Sequence, residues 1–308
     1  MNLYITHSSC RLHDNGSNHP EIAERISRIQ DQLISSQLFD WIPQMESRAA
    51  SDAELLLCHA ASHLEHIKAK LPKEGIICID DDTCLTPGSL IAARHAVGAV
   101  LDAVDAVESG KAQKVFCNVR PPGHHAEYDH AMGFCLFNNV AIGAAYAFKE
   151  YGYERIAILD FDVHHGNGTE SYARREPRLF FASSFEDDIY PFSEPKSDIP
   201  NMLKMPMTKG GDSEQFQTVW SELAFPALSA FKPQLILISA GFDGHALDPM
   251  ANMRLHEKDY AWITQQINAI AKEFAKGKVI SVLEGGYDLE ALSLSAREHI
   301  KTLFELDS

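Results

Sequence analysis

Residues 155–168 read Arg155-Ile156-Ala157-Ile158-Leu159-Asp160-Phe161-Asp162-Val163-His164-His165-Gly166-Asn167-Gly168. The first half is apolar on both faces, the pattern of a parallel strand covered by helices on each side; a half-exposed strand would alternate instead. The second half turns abruptly to Asp, His and Gly. The same change from apolar run to polar turn follows LILISA at 235–240 and VISVL at 279–283. Strands are expected at Leu3–Thr6, Lys114–Asn118, Arg155–Asp162, Leu179–Phe185, Leu235–Ala240 and Val279–Glu284. Helical patterns lie between them at Pro20–Ser35, Ser89–Glu108, Asn138–Lys149, Glu214–Phe231, Glu257–Lys276 and Leu289–Leu306, the last behind Asp288 as an N-cap. Strand–helix alternation along the whole length predicts an α/β protein with an open, mostly parallel sheet. No Gly/Ser linker interrupts it, so residues 1–308 read as a single domain whose most loop-like stretch is Glu186–Asn201.

Composition narrows the function. Hydrophobic residues make up 45% and charged residues 23% of the 308, enough apolar surface for a packed core and too much for a disordered chain. With 27 basic and 43 acidic side chains the net charge is −16, which leaves no excess of Lys or Arg for nucleic-acid phosphates. No stretch approaches the roughly 20 apolar residues of a membrane span, and the opening MNLYITHSSC has no basic, then apolar, leader pattern. Six scattered cysteines without a C-x-x-C pair read as reduced thiols in a cytoplasmic protein. Nothing in the sequence decides whether the chain forms a homo-oligomer.

In open α/β sheets ligands bind outside the carboxyl ends of the strands. Four such ends carry chemistry here. They are Arg120-Pro121-Pro122-Gly123-His124-His125, the Asp160–Gly168 turn, Gly241-Phe242-Asp243-Gly244-His245 and Gly285-Gly286-Tyr287. Asp162 and His164 are two apart, so both side chains can face one way. With Asp243 they make two carboxylates and an imidazole, a zinc set that leaves a fourth position open. Gly166, two residues past His164, offers no ligand for a second metal of the ureohydrolase kind. A hydrolytic metal site needs a neutral imidazole to accept a proton from water, and His124 and His125 are both available. Different partners would give them different jobs; Asp160 is expected behind His124 and Asn167 behind His125. Tyr287 can donate to an oxyanion. Phe134, in Gly133-Phe134-Cys135, and Tyr190 are expected to face one another as an apolar slot for a linear aliphatic stem.

RPPGHHA, DFDVHHGNGT, SAGFDGH and LEGGYDL, in this order and with the early His19-Pro20-Glu21, resemble the zinc-dependent histone deacetylase superfamily, and Asn167 with LEGGY resembles its class II and bacterial branch. The resemblance runs nearly end to end. It implies an arginase/deacetylase fold, a single domain with a central eight-stranded parallel sheet flanked by helices. It implies one Zn²⁺ on Asp162, His164 and Asp243, His125 as general base, His124 as electrostatic or acid partner, and Tyr287 as oxyanion donor. It also implies K⁺ near Asp160, Ser183 and Ser184, and Asp82 as a rim residue that binds the substrate backbone. The implied activity is hydroxamate-sensitive removal of acetyl or similar short acyl groups from lysine side chains of proteins or peptides. Class IIa members carry His in place of Tyr287 and are poor deacetylases; the Tyr here predicts turnover. Polyamine-selective members carry a Glu gatekeeper where this chain has Met250, so an acetylpolyamine or other small amide is the second reading. Recognition of acyl-lysine without turnover is the third.

Overall fold

The computed structural model describes residues 1–16, 18–194, 197 and 199–306. Its strands are β1 (Asn2–Thr6), β2 (Gln44–Glu46), β3 (Ile77–Cys78), β4 (Cys84–Leu85), β5 (Lys114–Cys117), β6 (Ile156–Asp160), β7 (Leu179–Glu186), β8 (Met202–Met207), β9 (Leu235–Ala240) and β10 (Val279–Leu283). Eight of them form one sheet in the order β2-β1-β5-β10-β9-β6-β7-β8, and every neighbouring pair is parallel. Every residue of β5, β6, β7, β9 and β10 is buried, which is why these strands read as unbroken apolar runs. Asp160 is level with Ser183 on β7 and Ser239 on β9, so the strand ends that carry the polar turns open on one edge.

The helices are α1 (Glu24–Ser35), α2 (Asp52–Leu55), α3 (Ala61–Lys70), α4 (Ser89–Glu108), α5 (Asn139–Tyr151), α6 (Asn167–Ala173), α7 (Ser213–Val219), α8 (Phe225–Phe231), α9 (Glu257–Phe274) and α10 (Leu289–Leu303). Helix α4 lies on β1, β5 and β10, α5 lies on β6 and β9, and α10 packs with α1 and α9.

Several expectations are corrected. The six strands read from hydrophobic runs miss β2 and β8, the two edge strands. β2 is short and half-exposed, and β8 alternates and contains Pro206, tolerated where no further strand needs its N–H. Helix α1 starts at Glu24 rather than Pro20. The single helix expected over Glu214–Phe231 is broken by a π turn at Trp220–Ala224, next to Pro226, which cannot donate to the ladder. In the expected loop Glu186–Asn201, Glu186 ends β7, and residues 195, 196 and 198 lie outside the described residues. The reading of six reduced thiols holds for the buried Cys10, Cys58, Cys117 and Cys135. Cys78 and Cys84 form a disulfide, because the antiparallel β3–β4 hairpin sets them opposite one another.

The amino-terminal segment is tied to the sheet by buried charge. Arg120 donates from Nε and Nη2 to the two carboxylate oxygens of Glu21, both at 2.6 Å. Arg25 reaches the same carboxylate at 3.3 Å and donates to the backbone oxygens of Gly286 and Glu284. Burial alone would raise the Glu21 carboxyl, but the Arg120 charge and hydrogen bonds hold it down at about 2. Its contribution to stability is therefore present above the ordinary glutamate value of 4.5 and is lost as pH falls toward 2. Glu21→Gln leaves two buried guanidinium groups without their carboxylate and should cost about 3–5 kcal/mol in urea unfolding. A loss below about 1 kcal/mol would show that the cluster is not a structural tie.

Candidate active site

β6 ends at Asp160, and the chain turns so that Asp162 and His164 face Asp243, which follows β9. One ligand atom from each of these three buried residues lies within 4.8 Å of the others. His164 Nδ1 is 3.2 Å from Asp162 Oδ1 and 3.1 Å from Asp243 Oδ2. Backbone amides aim the carboxylates: Gly285 donates to Asp162 Oδ2 at 2.8 Å, His164 to Asp162 Oδ1 at 2.9 Å, and Val163 to Asp243 Oδ1 at 3.0 Å. A Cβ on Gly285 would stand 2.1 Å from Asp243 Oδ2, so only glycine lets this backbone come close enough to donate. Burial opposes charge on His164, yet the Asp162 and Asp243 carboxylates raise it to about 10. Two buried carboxylates thus hold a proton where a divalent cation would satisfy them, and the donor set fits zinc. A Cβ on Gly166 would lie 2.3 Å from Asp160 Oδ2, leaving no room there for a second metal-binding carboxylate.

The two histidines after β5 sit with ring centroids 4.0 Å apart. Glu284, at the end of β10, fastens their turn by accepting the Gly123 and His124 amides at 2.7 and 3.2 Å. His124 Nδ1 meets Asp160 Oδ2 at 2.9 Å, and His125 Nδ1 meets Asn167 Oδ1 at 2.7 Å. Asn167 Nδ2 donates to Glu127 at 2.7 Å, which orients the amide so that its oxygen faces His125. His125 Nδ1 is therefore the donor, and Nε2 keeps its lone pair when the ring is neutral. Burial, and then the neighbouring His124 and His164, push His125 well below the ordinary imidazole value. His124 is raised to about 10, because Asp160 and Asp162 outweigh its burial. Their surroundings thus push the two neighbouring imidazoles in opposite directions.

The loop between β3 and β4 holds the Gly133–Phe134 turn beside His125 and Tyr287. The Gly133 amide donates to Asp82 Oδ1 at 3.1 Å and the Phe134 amide to Thr83 Oγ1 at 3.1 Å, while the Thr83 hydroxyl donates to Asp82 Oδ1 at 2.9 Å. This closed set holds two consecutive left-handed residues, Gly133 at φ 56° and Phe134 at φ 65°. Among the three adjacent aspartates it is Asp82 that reaches this turn. Phe134 and Tyr190 both pack on residues of this site. The Phe134 ring packs on His19 and Tyr287 (4.5 and 5.8 Å), and Tyr190 on His125 and His164 (5.2 and 6.4 Å). The two rings come from different loops, and each is anchored by its own neighbours.

Tyr287 is set by Asp248, whose Oδ2 accepts the Tyr287 and Asp288 amides at 2.6 and 3.0 Å, and by Arg25, 4.9 Å from its ring centroid. Burial keeps its phenol protonated, well above the usual range. Asp248 also accepts the amide of half-buried Met250. Ser183 and Ser184 hydroxyls meet His165 and the Trp220 indole, both at 3.0 Å. Sequence reasoning assigned no role to Arg25, Arg120, Glu284, Asp248 or Thr83. Glu284, a charge between an apolar run and two glycines, was the available signal.

Residues 19–303 match the histone deacetylase domain. The chain belongs to the histone deacetylase family. It is 36% identical to a histone deacetylase-like amidohydrolase of Pseudomonas aeruginosa, over 87% of this chain and 72% of that one. It is 33% identical to a probable deacetylase of Archaeoglobus fulgidus, over 93% and 81%. The crystal structure of the HDA15 HD domain superposes with a TM-score of 0.92 at 29% identity, covering 99% of this chain and 88% of that one. Membership makes the site that of a deacetylase or amidohydrolase acting on an acetylated substrate. Among the described residues no helix is long and apolar enough to cross a membrane.

Because His164 is protonated up to about pH 10 while no cation is bound, a metal that takes its Nδ1 must displace that proton. Zinc titrated into metal-free protein at pH 8 should release about one proton, read by calorimetry in buffers of different ionisation enthalpy. Affinity should fall as pH is lowered. Uptake without proton release would show that Asp162 and Asp243 do not hold His164 in its charged form.

Proposed function

We propose that this protein is a zinc-dependent lysine deacetylase, hydrolysing acetyl or similar short acyl amides on lysine side chains of proteins or peptides. The observation that carries the reading is geometric: two adjacent imidazoles, one hydrogen-bonded to Asp160 and the other to Asn167, stand beside the Asp162, His164 and Asp243 cluster. Zinc held by those three would supply Lewis-acid polarisation of the acyl carbonyl and acidify water at the site.

The chain's own groups would do the rest. His125 accepts the proton of the attacking water at Nε2, its ring held through Nδ1 by Asn167. His124, kept cationic by Asp160, stabilises developing negative charge and can return a proton to the departing amine. The Tyr287 phenol, still protonated at any working pH, donates to the oxyanion of the tetrahedral carbon. Phe134 and Tyr190 line the approach with Gly133, and Asp82 meets the substrate backbone at the rim. Potassium near Asp160, Ser183 and Ser184 would be structural, and Asp160 and Ser183 are register partners on adjacent strands.

Peptidyl acyl-lysine is preferred to a polyamine because Met250 offers no carboxylate to a second ammonium group. Acetyl-lysine peptide should be turned over with higher kcat/KM than acetylputrescine or acetylspermidine, and a hydroxamate should abolish the reaction. The reverse order of substrates would move the assignment to a small-molecule amidohydrolase. Tyr287→Phe should lower kcat by about 10²–10³ with zinc content unchanged. Near-normal turnover in that variant would remove Tyr287 from the mechanism.

A further inference from the structure

The Cys78–Cys84 disulfide closes the loop that carries Asp82 and Thr83, and those two side chains accept the Gly133 and Phe134 amides. Inside the loop, the Ile79 amide donates to the Thr83 carbonyl at 2.8 Å, so the disulfide and this bond clamp the same few residues. Cys78 is exposed, as are Ile76 and Ile77 beside it, whereas Cys10, Cys58, Cys117 and Cys135 are buried. The disulfide is thus open to solvent while the other thiols are shielded. Its loop props two left-handed residues that would not hold that conformation unaided. A Cβ on Gly133 would lie 2.5 Å from the His125 ring, so a shift of this turn is felt at the imidazole.

We propose that Cys78–Cys84 is a thiol–disulfide exchange site whose redox state sets the order of the Gly133–Phe134 turn. A thiolate of a dithiol reductant attacks the exposed Cys78 sulfur, forming a mixed disulfide and releasing Cys84 as thiolate, which takes up a proton. The reductant's second thiol then displaces Cys78 as a thiol. Two electrons and two protons pass to the cysteine pair, and the reductant becomes a disulfide. Asp80, Asp81 and Asp82 give the loop a negative field, so a neutral dithiol should act faster than anionic glutathione. Once reduced, the loop regains conformational freedom and the Asp82–Thr83 set loosens.

The test compares oxidised and dithiothreitol-reduced full-length protein by hydrogen exchange and by alkylation of thiols under native conditions. Reduction should expose new alkylatable thiol at Cys78, and protection of the Gly133 and Phe134 amides should fall about tenfold. Cys78→Ser, at an exposed position, should show the low protection at all times and no response to reductant. Equal protection in both redox states would overturn the proposal. So would a Cys78→Ser variant that still responds, or Cys78 and Cys84 that stay unpaired after treatment with a thiol oxidant. These readouts do not depend on the activity. If the deacetylase reading also holds, reduction should raise KM for an acetyl-lysine peptide several-fold while kcat changes less. Altered exchange without a change in KM would confine the switch to the turn's structure and overturn its influence on binding.

Discussion

Asp162 and Asp243 bury two carboxylates beside one imidazole, and taking that much like charge out of water is costly unless it is paired and hydrogen-bonded. Much of the surrounding chain answers that requirement. Three backbone amides are aimed at the carboxylates, and Gly285 is glycine because any side chain would collide with them. His164 is drawn into its charged form as the nearest counter-charge. The same field separates the two neighbouring histidines. His124, backed by Asp160, is drawn toward its charged form, and His125, backed by an amide, toward its neutral form.

Holding these groups in place takes parts of the chain far apart in sequence. Arg25, on the first helix, donates to two backbone oxygens near the end of β10 and lies against the Tyr287 ring. Its partner Glu21 is gripped by Arg120 at the start of the histidine turn. One buried cluster therefore positions both the phenol and the imidazoles. Asp248 and Glu284 do the same work through backbone amides, and neither is near a reacting atom by its own hydrogen bonds.

Family membership establishes the reaction class, and the particular side chains refine it. The Gly133–Phe134 turn depends on a small loop rather than on the sheet. Asp82 and Thr83 bind the amides of a two-residue left-handed turn, and a covalent link between the strands flanking that loop ties it down. The Gly133–Phe134 turn is consequently tied to the hairpin, while His124 and His125 rest on the buried sheet edge.

The central strands were legible because burial on both faces writes itself as an unbroken apolar run, as in Ile156–Leu159 and Leu235–Ala240. The Asp162, His164 and Asp243 cluster was legible for a related reason: parallel strands of one sheet open their carboxyl ends on the same edge, so Asp and His that follow such runs are brought together. The pairing of His124 with Asp160 and of His125 with Asn167 also followed from residue type and topology. Edge strands β2 and β8 were not legible, since neither is buried along its whole length and neither leaves an unbroken apolar run. Nor could sequence place Phe134 and Tyr190 against their actual neighbours, or pair Cys78 with Cys84. Ring contacts and disulfides depend on loop paths, which no local periodicity records. The roles of Arg25, Glu21 and Arg120 came only from tertiary structure, because Arg120 meets Glu21 across 99 positions and Arg25 meets Gly286 across 261. Local pattern determines where the strands end and what chemistry stands there; packing decides which charges, rings and sulfurs then meet.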